Sequence, residues 1–169
     1  MYNKFYIGID NGISGSIGMI ATSPTLTKAV HYVKTPTKSE QNYTKKKDSI
    51  TRVDAVELKK LFSYITPGSE VYILLERPLV NPKMFKATLS AMRALEATMC
   101  IIESMGFSFS YIDSKEWQKE LLPTGTKGTD ELKAASLQIA QRLYPDKLIK
   151  GHKDADGLLI AHYCMLKNK

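Results

Sequence analysis

The stretch FYIGIDNGISGSIGMIA, residues 5–21, decides how this 169-residue chain begins to fold. Residues 5–10 form an apolar run typical of a buried strand, and residues 16–21 form a second such run. The residues between them include glycine, asparagine and serine, which favour tight turns. We therefore predict a pair of antiparallel strands, which a third strand over residues 28–34 extends into a meander.

The rest of the chain alternates helical and strand patterns. Apolar residues at helical spacing predict helices over residues 53–65, 84–105, 114–121, 129–144 and 155–166, with Ser114 and Thr129 as caps. Short apolar runs predict strands over 71–75 and 107–112. Residues 35–51, which include Lys45, Lys46 and Lys47, lack apolar periodicity and are predicted to form an exposed loop. The order predicts a single α/β domain over residues 1–169, with a five-stranded mixed sheet of three antiparallel and then parallel strands, flanked by helices.

Composition restricts the partners and the compartment. Lys and Arg number 24 against 17 Asp and Glu, a net charge of +7 that suits an anionic partner such as nucleic acid. Cys100 and Cys164 have no Cys-x-x-Cys spacing, so neither a zinc site nor a disulfide framework is predicted. No apolar run reaches the roughly 18 residues of a membrane helix, and the N-terminus lacks a signal-peptide pattern. We expect a soluble, cytoplasmic protein with no membrane partner.

Four carboxylates stand at positions where active sites form in α/β folds. Asp10 ends the first strand, Glu76 ends the apolar run 71–75, and Asp154 and Asp156 precede the last helix. Ligands bind in such sheets where the carboxyl ends of strands meet the start of a helix. Each residue also has a structural explanation: a turn for Asp10, neutralisation by Arg77 for Glu76, and helix capping for one of the last two.

If these carboxylates converge, their chemistry is specific. Clustered carboxylate oxygens suit hard cations such as Mg²⁺ or Mn²⁺. Two such ions about 4 Å apart can align an attacking water and a leaving oxygen in phosphodiester hydrolysis. The small residues Ala155 and Gly157 would let the last helix approach another backbone closely.

Three motifs together resemble the RuvC-like Holliday-junction resolvases, especially their bacteriophage and prophage branch. The motifs are residues 7–15 (IGIDNGISG), 74–78 (LLERP) and 154–161 (DADGLLIA), and residues 112–119 and 132–136 add to the likeness. The resemblance implies an RNase H-like fold and a homodimer. It also implies two Mg²⁺ ions, replaceable by Mn²⁺, and a crossover junction endodeoxyribonuclease that nicks two strands of a four-way DNA junction in recombination and repair. Forks and three-way junctions are further branched substrates that we consider.

The resemblance also assigns the metal ligands. Asp10, Glu76 and Asp156 match the family's first-strand aspartate, central-strand glutamate and last-helix aspartate. The cellular enzymes of the family usually carry an acid or histidine three residues before that last aspartate, whereas this chain has Lys153 there. Residues two apart do not share a helix face, so Asp154 joins the site only if the helix begins at or after it. We predict Asp154 as the fourth ligand, with His152 as the substitute and Lys153 as the family's position.

The same resemblance and the positive charge predict a DNA surface. Phe85 is a candidate wedge against an unstacked base, with a core position as the alternative, and we interpret Trp117 as packing. The apolar residues of helix 84–105 would form a dimer seam or face the sheet. Residues 124–128 lack the ending of a P-loop, so no nucleotide cofactor is expected. The candidate DNA contacts are Arg77, Lys83, Phe85, Lys86, Arg93, Lys115, Lys119 and Lys127.

Two other functions fit part of the sequence. A strand ending Gly-Ile-Asp-Asn-Gly also resembles the phosphate-binding hairpin of actin-like and sugar-kinase ATPases, of which this chain would be a fragment. A branched-DNA-binding protein with little catalytic activity is the second alternative. Retained carboxylates argue against the latter, because without a metal they would repel DNA.

Overall fold

A five-stranded mixed sheet forms the centre of the computed structural model, which describes residues 1–45 and 47–168. Along the sheet the strands run in the order β3-β2-β1-β6-β7. β1 pairs antiparallel with β2 and parallel with β6, β2 pairs antiparallel with β3, and β6 pairs parallel with β7. The strands are β1 Lys4–Ile9, β2 Ser16–Thr22, β3 Ala29–Lys34, β6 Glu70–Glu76 and β7 Ser110–Ile112. The predicted mixed sheet of three antiparallel and then parallel strands is confirmed.

Five α-helices in the described residues flank the sheet, close to the predicted ranges, and a short 3-10 helix, Pro82–Met84, precedes the second of them. They are α1 Ala55–Phe62, α2 Phe85–Ser104, α3 Ser114–Leu121, α4 Thr129–Leu143 and α5 Asp156–Lys167. Both predicted caps are wrong, because Asp113 rather than Ser114 precedes α3, and Gly128 rather than Thr129 precedes α4. No helix in the described part of the chain is long and apolar enough to cross a membrane.

The predicted exposed loop over residues 35–51 is wrong. It forms a second, two-stranded sheet, a hairpin of β4 Thr37–Gln41 and β5 Ser49–Val53. Lys46, one of the three lysines of the predicted loop, lies outside the described residues. Apolar alternation did not reveal these strands because charged side chains line them. Glu40 contacts Arg52 of the neighbouring strand at 2.9 Å and Lys38 of its own strand at 2.7 Å.

The two faces of the main sheet carry separate cores. On one face, Ile7 and Ile9 pack in a cluster with residues of α1 and α2 such as Phe62 and Ile102. On the other face, Tyr6 and Ile20 pack in a cluster with residues of α3, α4 and α5. Because side chains of a strand alternate between faces, β1 contributes to both.

Glycines let α5 lie directly against β1 and β2. A Cβ added to Gly8 would lie 2.5 Å from the Gly157 oxygen, and one added to Gly18 would lie 2.6 Å from the same atom. The backbones are in contact there, so any side chain would separate helix from sheet. The predicted close approach at Gly157 is therefore confirmed, and it fixes the start of α5 against the end of β1.

Candidate metal and nuclease site

Asp10 and Glu76 lie side by side because their strands are parallel neighbours. Ile9 pairs with Leu75 in the β1–β6 register, so the next residue of each strand stands at the same edge of the sheet. The Asp10 amide donates a 2.9 Å hydrogen bond to the Ser16 carbonyl, which anchors the backbone where the chain leaves β1. The two carboxyl groups share a side-chain hydrogen bond.

The electrostatics of this pair favour protonation. Burial raises the pKa of Asp10 well above its ordinary value, and the charges of Glu76, Asp156 and Asp154 raise it further. Burial also raises the pKa of Glu76, although hydrogen bonds from Trp117 and Asp10 oppose that shift. Adjacent buried carboxylates are costly to ionise together, so a cation between them would be stabilising.

The third segment of the site is the turn into α5. The helix begins at Asp156 with Ala155 as its cap residue, so Asp154 lies outside the helix, as its entry into the site requires. Burial raises the pKa of Asp156 to about 7; the Ser136 hydrogen bond opposes this shift, and the charges of Asp154 and Glu76 add to it. Asp154 and Asp156 thus both interact electrostatically with the strand-end carboxylates.

Asp154 is the more enclosed member of that turn, with 6% of its surface exposed. Its Oδ2 atom lies 3.8 Å from Lys133 Nζ, and its Oδ1 atom lies 3.6 Å from His152 Nε2. Among the described residues, neither Asp154 Oδ1 nor His152 Nε2 has a hydrogen-bond partner, although both atoms are buried. Burial lowers the pKa of His152, against the opposing charge of Asp154.

Neighbouring hydroxyl groups hold the turn in place. The Tyr32 hydroxyl donates to the Asp154 carbonyl at 3.1 Å, and the Gly157 amide donates to Ser16 Oγ at 3.2 Å. The Ser136 hydroxyl donates to Asp156 Oδ1 and accepts from the Ala155 amide at 3.0 Å. The sequence-based reasoning missed these residues; the signal for Ser136 was its position three residues after Lys133, which puts both on one face of α4.

Trp117 contacts the site through Glu76. Its side chain is fully buried, as the packing interpretation predicted. Its indole nitrogen also donates a 3.1 Å hydrogen bond to Glu76 Oε1, a contact that the interpretation missed. This bond orients the glutamate and stabilises its charged form.

A cleft of about 560 Å³ opens over three of the carboxylates. We call it the carboxylate cleft; Asp10, Asp154 and Asp156 line it together with Lys34, Lys133, His152 and Lys153. Negative charge at the base and lysines at the walls suit a phosphate group that reaches the carboxylates through a cation. Lys153 is exposed at this wall and contributes an ammonium rather than a metal-binding oxygen.

The four carboxylates are the donors available for a divalent cation at this site. Within residues 1–45 and 47–168, no group of three or more His, Cys, Asp or Glu side chains is arranged to hold a metal ion as it stands. The chemistry nevertheless fits: the carboxylates raise one another's pKa, and Asp154 Oδ1 is buried without a partner. Hard oxygen donors of this kind match Mg²⁺ or Mn²⁺.

The predicted DNA contacts come from several different elements of the fold. Arg77 does not neutralise Glu76; it pairs with Asp113 at 2.9 Å and lies 5.2 Å from the centre of the Tyr111 ring. Phe85 is 70% exposed, so the alternative core position is wrong. The lysines at positions 83, 86, 115, 119 and 127 are all exposed, and Lys115 and Lys119 line one groove of about 350 Å³.

Solved structures of other proteins have the same fold. No family model matches the sequence, and no curated protein matches it. A solved structure described as T. thermophilus RuvC in complex with Holliday junction substrate aligns with TM-score 0.57 and 12% identity, over 97% of this chain and 95% of that one. The chain has the RuvC fold. A second Thermus thermophilus RuvC structure aligns with TM-score 0.58 and 11% identity, over 97% of this chain and 96% of the other. The predicted RNase H-like architecture is thereby confirmed.

Proposed function

We propose that this chain is a metal-dependent, structure-selective endodeoxyribonuclease that resolves four-way DNA junctions by paired nicking. The observation that carries the proposal is the meeting of four carboxylates from three separate segments at one edge of a RuvC fold. A purely structural role does not explain this arrangement, because clustered buried carboxylates lower the stability of the fold unless a cation neutralises them. The similarity to RuvC over 97% of the chain favours this function over a nucleotide-binding fragment.

Asp10, Glu76, Asp154 and Asp156 would hold two Mg²⁺ ions, which Mn²⁺ replaces. Bound divalent ions supply an activated water and neutralise the charge that develops on a phosphodiester. The chain itself supplies orientation: Trp117 fixes Glu76, Ser136 fixes Asp156, and Tyr32 fixes the backbone of Asp154. His152 remains the substitute ligand beside Asp154.

Lysines of the cleft would position the scissile phosphate. Lys133 lies 3.8 Å from Asp154, close enough to contact a phosphate bound at the carboxylates. Arg77, Lys83, Phe85, Lys86, Lys115, Lys119 and Lys127 would bind the arms of the junction, the lysines through the DNA backbone and Phe85 through an unstacked base.

Paired nicking requires two active sites, so we propose a homodimer. An exposed stripe of α2 that includes Leu89 and Met92 is its candidate seam. Such a stripe is unusual on a helix whose opposite side already packs on the sheet. Action in DNA recombination and repair, in a bacterial or phage-infected cytoplasm, follows from this function.

The decisive experiment measures cleavage and binding separately. Purified Asp10→Asn and Glu76→Gln variants are expected to lose Mg²⁺-dependent cutting of a synthetic four-way junction while they still bind it. Asp146→Asn and Glu103→Gln, which change exposed carboxylates elsewhere, serve as matched controls and should cut normally. Unchanged cutting by either site variant would refute the assignment.

A substrate panel tests the selectivity. The wild-type protein should cut four-way junctions faster than forks, three-way junctions and linear duplexes of the same sequence. Tight junction binding with no cleavage in Mg²⁺ or Mn²⁺ would instead identify a branched-DNA-binding protein.

A further inference from the structure

A second groove lies between the β4–β5 hairpin and α2, outside the carboxylate cleft. It has a volume of about 380 Å³, and we call it the hairpin–helix groove. Tyr43, Ile50 and Arg52 form its hairpin side, and Arg93 and Ala97 are among the residues on its helix side. The groove is mostly apolar, with two guanidinium groups at its walls.

Arg93 is the unusual residue of this groove. The side chain is half-buried, and its Nε atom is shielded from solvent without a hydrogen-bond partner. Among the described residues it makes no ion pair, although Glu96 lines the same groove. Burying a guanidinium without an anion is unfavourable, so the groove is electrostatically incomplete in the isolated chain.

The groove adjoins the candidate active site. Ile13, in the turn between β1 and β2, lines both the hairpin–helix groove and the carboxylate cleft. The same turn is tied to α2 by a 3.1 Å hydrogen bond from Asn11 Nδ2 to the Ala91 carbonyl. A polymer that leaves the cleft past Ile13 therefore meets Arg93 next.

The hairpin side of the groove carries aromatic and basic side chains of the kind that bind nucleic acid. Tyr43 is 72% exposed at the groove, and the exposed Lys45 follows it in the turn. Glu40, the acidic residue in β4, is already paired with Lys38 and Arg52. An exposed aromatic ring beside an unpartnered arginine matches the combination of base stacking and phosphate binding used for single strands.

We propose that the hairpin–helix groove binds the DNA strand flanking the scissile phosphate, with Arg93 on a backbone phosphate and Tyr43 stacked on an unpaired base. The inference rests on the proposed function, because it makes the groove an extension of the nuclease site. The hairpin would thus help to bind the DNA strand, whereas the carboxylates act at the scissile phosphate.

The test measures junction and single-strand binding by fluorescence anisotropy in EDTA, where no cleavage occurs, across a range of salt concentrations. Arg93→Gln should weaken binding several-fold and reduce the slope of log K against log salt by about 1. Tyr43→Ala should weaken single-strand binding by about 5- to 50-fold. Arg142→Gln and Tyr64→Ala are the matched controls, since they remove one exposed arginine and one exposed tyrosine elsewhere on the chain.

The outcomes separate the two proposals. If wild type binds and cuts junctions but both groove variants bind like their controls, the groove assignment is wrong and the proposed function stands. If wild type neither binds nor cuts, the proposed function fails first. If Arg93→Gln changes the oligomeric state by light scattering while its salt slope is unchanged, the groove is an interface with a second copy and the strand proposal is overturned. Thermal melting of each variant confirms that it is folded.

Discussion

The turn into α5 and the β4–β5 hairpin are both polar segments, but the protein holds them in opposite ways. The α5 turn is buried against glycines and hydroxyl groups, and its carboxylates interact with those at the ends of two strands. The hairpin is exposed, and an ion pair between Glu40 and Arg52 connects its strands. In the buried α5 turn, the loss of a single polar contact costs stability because water cannot replace it. On the exposed hairpin, water can replace most lost contacts, so substitutions there cost little stability.

The largest effect is expected at the contact between α5 and β1. Gly8→Ala places a Cβ 2.5 Å from the Gly157 oxygen, so the free energy of unfolding should fall by about 4 kcal/mol or more. Gly68→Ala is the matched control: its Cβ meets open space and only its φ of +81° is unfavourable, which costs about 1 kcal/mol. Urea unfolding compares them, and equal losses would show that the α5 contact is not tight.

Removal of the indole hydrogen bond should have the next largest effect. Trp117→Phe keeps an aromatic ring in the core but leaves Glu76 Oε1 without its donor, at a cost of about 3 kcal/mol at pH 8. The bond favours the charged carboxylate, so the cost should shrink at pH 4, where Glu76 is protonated. Unfolding at the two pH values checks this, and a pH-independent loss would assign Trp117 to packing alone.

The buried carboxylates predict a pH dependence of stability in EDTA. The folded protein raises the pKa of Asp156 to about 7 from an ordinary value of 3.8, so it binds this proton more tightly than the unfolded chain. The contribution of Asp156 to stability is therefore fully present below about pH 4 and is lost as the pH rises through about 7. Asp156→Asn should remove about 4 kcal/mol of that decline.

Metal addition gives the companion measurement. Mg²⁺ should raise the melting temperature of the wild-type protein at pH 7 and above, because a cation bound only by the folded state stabilises it. Asp156→Asn should respond less to Mg²⁺ than Asp146→Asn does. An identical response in both variants would exclude Asp156 as a ligand.

The smallest effect is expected on the hairpin. Glu40→Gln removes the contacts with Lys38 and Arg52, but all three side chains are at least one-third exposed. Surface ion pairs contribute little, so the melting temperature should fall by no more than about 2 °C, and less at high salt. A decrease comparable to that of Trp117→Phe would show that the hairpin is part of the cooperative fold.

Local patterns determined much of this protein. Apolar runs located the main-sheet strands and the helices, and their order predicted the mixed sheet, because burial on a strand or helix leaves a period in the sequence. The same order placed Asp10 and Glu76 at strand ends and Asp156 at a helix start. The hairpin was not predicted because its cross-strand contacts are polar. A polar sequence has no apolar period that would distinguish an exposed pair of strands from a loop.

Tertiary structure alone decided which side chains meet. Nothing local to Arg77 shows that it pairs with Asp113, and nothing local to Trp117 shows that its indole reaches Glu76, 41 residues earlier. Ser136, Tyr32 and Lys133 reach the α5 turn for the same reason: packing of distant elements sets their distances. Sequence thus determined which groups the chain carries and on which elements, whereas packing decided how those groups are neutralised, oriented and joined into one site.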